Sequence, residues 1–293
     1  MRKRLLILGL LLAVTLACAT TQTPPPATPA QNVETMVAAT IQSWTATAPS
    51  PTPVPPTPPV NGQVVSFENV SFILPADVAS NALAGKVPAV NEVDWTLENA
   101  PEHIKFQLDG YRLYDTFHDP RILIIPVQGY IEINEGASRS IANLQAILNG
   151  SAAPTAENLP HISSFNAGQL FAAQIQVIQF QGGSGVRFLT EYGQYFATAN
   201  NTDLFYQFQG LTSDGKYYIL AILPVSHPLL AVEENPEAYV PEGGIPFPGY
   251  ENESALKNYY TDVINLFNST APDGFTPSLT NLDAMIQSIT IAP

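Results

Sequence analysis

From Ala19 to Asn61 the chain is dominated by Pro, Thr and Ala, including Pro24-Pro25-Pro26 and the stretch from Pro49 to Pro59. Proline fixes φ and removes a backbone donor, so such a segment buries no core and favours extended polyproline geometry, about 3.1 Å per residue. Any compact fold has to start beyond it. Near Gly62 aromatic and β-branched residues become frequent and stay so to the C-terminus. No second linker and no internal repeat interrupts residues 62–293, which are expected to form one domain. Stretched out, the tether holds that domain on the order of 100 Å from its origin. Inside it Val33, Met36, Val37, Thr40, Ile41 and Trp44 recur at helical spacing. A helix that short is marginal in water.

Ahead of the tether, Arg2, Lys3 and Arg4 precede an uncharged run from Leu5 to Leu16, then Ala17 and the only cysteine, Cys18. A positive start, a short apolar run and a small residue before a cut site define a secretory signal peptide, here residues 1–17. The run is too short to cross a bilayer comfortably, which takes about 20 residues. Val14-Thr15-Leu16-Ala17-Cys18 resembles the lipobox of bacterial lipoproteins. That resemblance implies cleavage before Cys18 and a diacylglycerol on its thiol, with the new amine acylated. Thr15 departs from the Leu more common at that place. Residues 18–61 would then be a lipidated cysteine and its tether. Two or three acyl chains, at about 0.8 kcal/mol per buried CH2, hold essentially permanently. The expected placement is the cell envelope, extracytoplasmic, on a membrane. A cysteine-free domain of this size needs no disulfide to supply its core.

Three of the eleven basic residues lie in the signal segment, leaving eight against 25 acids in the rest. That balance argues against nucleic acid and against a polybasic grip on anionic lipid. The expected partners are the membrane, through the lipid, and an unknown protein or glycan at the cell surface.

The domain reads as α+β. Val64–Leu74 forms one or two strands, and 77–101 is irregular, with Trp95 as a core plug. Ile104, Phe106 and Leu108 alternate with polar residues as a half-buried strand, with 112–117 as its hairpin partner. Ile122–Val127 is a central strand. Ala137, Ile141, Leu144, Ile147 and Leu148 share a helical face, with Gly150 as C-cap. Two hairpins follow, 175–180 with 186–192 and 204–209 with 217–223, each around a glycine-bearing turn. A long Pro- and Glu-rich loop runs from Pro224 to Gly249. A helix from Ser254 to Phe267 comes next, then another capped by Thr276 with Pro277 at N1, then a short strand, 288–291. The expectation is a mainly antiparallel sheet packed by about three helices. The opening Phe72-Ile73-Leu74-Pro75, the paired hairpins and the closing helix-then-strand, Leu282 to Ile291, resemble the PsbP-type sandwich. Proteins of that kind are extrinsic photosystem subunits and exported bacterial lipoproteins. Gly185-Val186-Arg187-Phe188-Leu189-Thr190 and Gly210-Leu211-Thr212-Ser213-Asp214-Gly215-Lys216-Tyr217-Tyr218 also resemble exported bacterial lipoproteins with no assigned activity. Neither resemblance carries a function.

No residue pattern announces a reaction. Gly182-Gly183-Ser184-Gly185 lacks the G-x-S-x-G spacing of a nucleophile elbow and joins strand to strand, so it reads as a hairpin turn. His103, His118, His161 and His227 make no zinc-type pair, so neither metal nor cofactor is expected. The densest polar cluster is Asp115, His118 and Asp119; one reading has an aspartate orienting His118 as a base, but a charged turn explains it better. Ser226 and His227 point to opposite faces of an extended chain. The glutamates of 233–253 have no Lys or Arg among them and read as solvated loop charge rather than a calcium site. Their loop exceeds the usual ceiling of about 12–15 residues, which marks a binding surface, with Tyr239, Phe247 and Tyr250 as its contacts. Two functions remain in view: a non-enzymatic binding or envelope-accessory module, and a secreted hydrolase with a hidden carboxylate pair.

Overall fold

A computed structural model describes residues 61–92 and 97–292. The expected signal peptide, Cys18, the residues of helical spacing in the expected tether and Trp95 lie outside the described residues.

Among the described residues ten strands form two antiparallel sheets. The larger takes the order β3-β4-β5-β9-β8-β7-β6. Its members are β3 (Asn81–Val87), β4 (His103–Asp109), β5 (Arg121–Pro126), β6 (Gly168–Phe180), β7 (Gly183–Gly193), β8 (Phe205–Thr212) and β9 (Tyr217–Pro224). The smaller sheet holds β1 (Gly62–Phe67), β2 (Val70–Pro75) and β10 (Thr290–Ile291) in the order β1-β2-β10. Among the described residues four α-helices accompany them: α1 (Val127–Ile133), α2 (Glu135–Leu148), α3 (Glu253–Ser269) and α4 (Leu279–Gln287). The described chain is thus α+β, with its first strand starting at Gly62.

The large sheet is covered on both faces. On one side Phe106, Ile122, Leu189, Tyr206, Phe208 and Ile219 meet β2, α3 and α4 through Phe72, Val263, Phe267 and Met285. On the other, Ile125, Val186, Phe188, Phe205, Tyr218 and Leu220 meet α1 and α2 through Tyr130, Ile141 and Leu144. That is why β8 is buried at every position and β9 at all but one. Each large apolar side chain so buried contributes about 1.5–3 kcal/mol relative to exposure. The long edge strand β6 is broken by register shifts between Gln169 and Phe171 and between Ala173 and Gln176. Such bulges blunt an edge that would otherwise pair with another chain. At the second of them Gln174 (φ 53) donates from Nε2 to the carbonyls of Phe267 and Thr270 at the end of α3.

Several expectations hold. Both glycine-bearing hairpins form, as β6–β7 and β8–β9. The helical face around Ile141 belongs to α2, whose C-cap is Asn149, followed by Gly150 at φ 77. Others are corrected. Residues 112–117 are not a strand; β4 pairs with β3 and β5 instead. The chain turns away at Gly110 and Asp115, both at φ 58, and Arg112 N–H bonds Val78 O. The region 77–101 is not wholly irregular, because Asn81–Val87 is an edge strand. Its small residues Ala82, Ala84 and Gly85 give little alternation in hydropathy. The last helix is capped by Ser278, whose Oγ accepts from Thr280 N, rather than by Thr276. Thr276 is held extended by backbone bonds to Ser226. The additional helix α1 follows β5 without an intervening loop and begins at Val127, the end of the expected strand.

Candidate functional site

Four connections converge at one end of the large sheet: β4–β5, α2–β6, β7–β8 and β9–α3. They enclose a cavity of about 600 Å3 lined by Phe117, His118, Asp119, Arg121, Ser164–Ala167, Tyr192–Tyr195, Asp203 and Glu234. A second, broader concavity of about 790 Å3 shares Phe165–Ala167 and Gly193–Tyr195 as its wall and adds Leu97, Leu170 and Phe196. Leu97, Tyr195 and Phe196 are exposed there.

Backbone bonds hold the rim together. Phe117 N–H donates to Thr202 O at 2.8 Å, while Asn201 and Thr202 N–H donate to Ala231 and Val232 O. Thr198 N–H reaches Glu234 O at 3.3 Å, and the Tyr195 hydroxyl donates to Glu234 Oε1 at 2.9 Å. The Nε2 of Gln194 donates to Asn166 O at 3.1 Å. A cavity built from four loops is therefore a fixed concavity, because each loop is attached to a strand of one sheet and bonds to its neighbour.

His118 is 6% exposed and surrounded by rings. It stacks on Phe165 and meets Phe117 and Phe205 edge-on. Desolvation, with a smaller push from the nearby Arg121 charge, lowers its pKa to about 4. The imidazole is thus neutral at pH 7, and its neighbours are rings and a cation instead of an orienting carboxylate. Asp119 lines the cavity beside it, whereas Asp115 sits outside at the turn. Arg121, the first residue of β5, donates from Nη1 to Asp119 O at 2.9 Å. Burial lowers its pKa, which Asp119 partly offsets.

Behind the cavity, on the opposite face of β7 from Tyr192, Glu191 is fully buried. Its Oε1 accepts from Asn200 N at 2.8 Å. Burial pushes this carboxyl well above its ordinary range, and the charges of Asp203 and Glu234 push the same way against that one hydrogen bond. Asn200 also donates from Nδ2 to Asp203 Oδ2 at 2.8 Å and accepts from the N–H groups of Thr202 and Asp203. Asp203 too is raised, chiefly by burial.

The other histidines are structural. His161 Nε2 donates to Ala167 O, and His103 Nδ1 to Pro101 O. His227 Nδ1 accepts from Leu229 N–H, so its Nε2 carries the proton toward Thr270 Oγ1 at 3.2 Å. Gly182-Gly183-Ser184-Gly185 is a hairpin turn with Gly182 at φ 95. Among the described residues no group of three His, Cys, Asp or Glu side chains is arranged to hold a metal ion.

Of the loop aromatics, Tyr239 is largely out in solvent and Tyr250 half out. Phe247 lies edge-on to Tyr250 and to Tyr259 of α3, so it anchors the loop. None of the three lines the cavity; the same loop contributes Glu234 instead. Sequence reasoning missed Arg121, Phe165, Tyr192, Tyr195, Asp203 and Glu234 as one site. Only the two-residue neighbourhood of His118 and Asp119 with Arg121 was a signal for it.

The fold and site define an α+β domain with a preformed cavity at the loop end of a seven-stranded antiparallel sheet. No family model, no curated protein and no solved structure matches the chain.

Proposed function

We propose that this protein is a lipid-anchored extracytoplasmic binding module, held by Cys18 and presenting the cavity at the end of its tether. One observation carries the binding part: the cavity combines aromatic walls with charged side chains of both signs, and its imidazole is packed among rings. Aromatic and apolar walls with a few convergent polar groups are the usual make-up of a small-ligand site. The lipid anchor rests on the residues around Cys18. Among the described residues no helix is long and apolar enough to cross a membrane.

Intact-mass analysis of the membrane fraction tests the anchor. A chain beginning at Cys18 plus acyl groups, lost in Cys18→Ala, is the expected result; an unacylated, water-soluble wild-type chain overturns it. Retention of the purified full chain on isolated cell-envelope material tests the binding. It should fall with Tyr195→Ala and persist with Tyr239→Ala.

A second reading, glycoside hydrolysis, draws on Asp119, Asp203 and Glu234 facing one concavity, with Asp203 raised by burial as an acid would need. Release of reducing ends from envelope glycans, abolished by Asp203→Asn, would replace the binding reading with this one.

A further inference from the structure

Resting on the binding reading, we infer that the cavity accepts a single acidic sugar unit, its carboxylate on Arg121 and its hydroxyls on Asp203 and Glu234. Arg121 is the first ground. Its guanidinium lines the cavity and donates to the Asp119 carbonyl, yet none of the ion pairs within 4.0 Å among the described residues includes it. Arg187, by contrast, is bound by a carboxylate and two other acceptors. A half-buried guanidinium with donors to spare is built for a planar anion, which it holds by two parallel bonds.

The second ground is the company Arg121 keeps. Glu234 gives one oxygen to the Tyr195 hydroxyl and Asp203 gives one to Asn200, leaving each with a second oxygen free to accept. Carboxylates are acceptors only, so they suit donors such as sugar hydroxyls. Three acids beside one cation also repel a phosphate or a polyanion, and a chain of net charge −14 adds to that repulsion. A bare ammonium would meet Arg121. One carboxylate on a polyhydroxylated ring satisfies both signs at once.

The third ground is shape. Tyr195 at the rim and Phe165 and Tyr192 in the wall offer flat apolar surface, which complements the C–H face of a pyranose. About 600 Å3 lies in the range of small-ligand sites.

The test is calorimetric titration of the detergent-solubilised full chain with methyl glucuronide, methyl glucoside and choline. The glucuronide should bind about tenfold or more tighter than the glucoside, the worth of a charge-assisted pair. Arg121→Gln should erase that difference, and Arg121→Lys should keep part of it, since the charge survives without the fork. Tyr195→Ala should weaken both sugars alike. Melting curves establish that each variant is folded, and Arg121→Lys carries the test if Arg121→Gln is not. Equal affinity for the two sugars, or a glucuronide preference that survives Arg121→Gln, overturns the inference. Choline bound more tightly than either sugar, with loss on Tyr195→Ala, overturns it while leaving a binding cavity intact. Failure of all three probes to bind overturns it as well, and the envelope-retention experiment then decides the binding reading separately.

Discussion

The imidazole of His118 lies flat against the ring of Phe165, with centroids 5.1 Å apart and planes 6° from parallel. A charged imidazolium would lose its water there and sit near Arg121, so the neutral ring is the stable form.

This makes His118 a source of acid sensitivity. Its folded pKa, about 4, is below the ordinary 6.5, so the unfolded chain binds the proton first. The contribution is fully present above pH 6.5 and is lost as pH falls toward 4, on the order of 3 kcal/mol across the window. The difference in melting temperature between wild type and His118→Phe, followed from pH 7 to 4, should shift in favour of the variant as acid is added. A constant difference would show that the ring is more accessible than its packing implies.

Glu191 has the opposite sign. Its folded pKa is raised, so the folded state keeps a proton that the unfolded chain has released. Stability is complete below the unfolded carboxylate range, about pH 4.3, and declines as pH rises through the folded pKa. Glu191→Gln retains an acceptor for Asn200 N–H and removes the titration. The variant should gain on wild type progressively as pH rises above 4.3, as read from urea midpoints. A parallel pair of curves would contradict a protonated carboxyl at this place.

The Arg187–Asp283 pair ties β7 to α4. Nε and Nη2 of Arg187 each stand 3.2 Å from an oxygen of Asp283, and Tyr206 Oη donates to Asp283 Oδ1 at 2.9 Å. Removing one partner of a buried pair strands the other charge, at about 3–5 kcal/mol. Asp283→Ala should therefore lower the melting temperature by roughly 10 °C. The double variant Arg187→Met, Asp283→Leu should recover much of it, because two apolar side chains leave no orphaned charge. Equal loss in single and double variants would mean that the pair's geometry, and not its charge balance, holds α4.

Two glycines in strands should behave differently. A Cβ on Gly185 would stand 2.4 Å from Gln209 O and 2.5 Å from the Phe208 ring. A Cβ on Gly85 would meet nothing within 4 Å. Gly185→Ala is expected to cost about 1–3 kcal/mol or more, and Gly85→Ala to stay within about 0.5 kcal/mol of wild type, by chemical denaturation. Equal effects would place the constraint in backbone entropy instead of packing.

Much of the fold was legible locally. The hairpins around Gln181-Gly182 and Asp214-Gly215 follow from turn chemistry between apolar runs, and α2 and α3 from apolar residues at helical spacing. Both signals are carried by neighbours in the chain. The strand β3 was missed because Ala82, Ala84 and Gly85 say nothing about pairing, which β4 supplies from 20-odd residues away. Phe247 looked like a contact residue and is an anchor, since a lone aromatic in a loop reads the same whether it faces solvent or Tyr259.

The sequence by itself determined most strands and helices of the described residues, because side-chain period and turn residues are local properties. Only the tertiary structure decided that both faces of the large sheet are covered, that Glu191 and His118 are desolvated, and that Arg121, Tyr195, Asp203 and Glu234 share one cavity. Those four residues come from three connections far apart in the chain. Their meeting depends on strand order in the sheet, a long-range outcome of packing that no local pattern encodes.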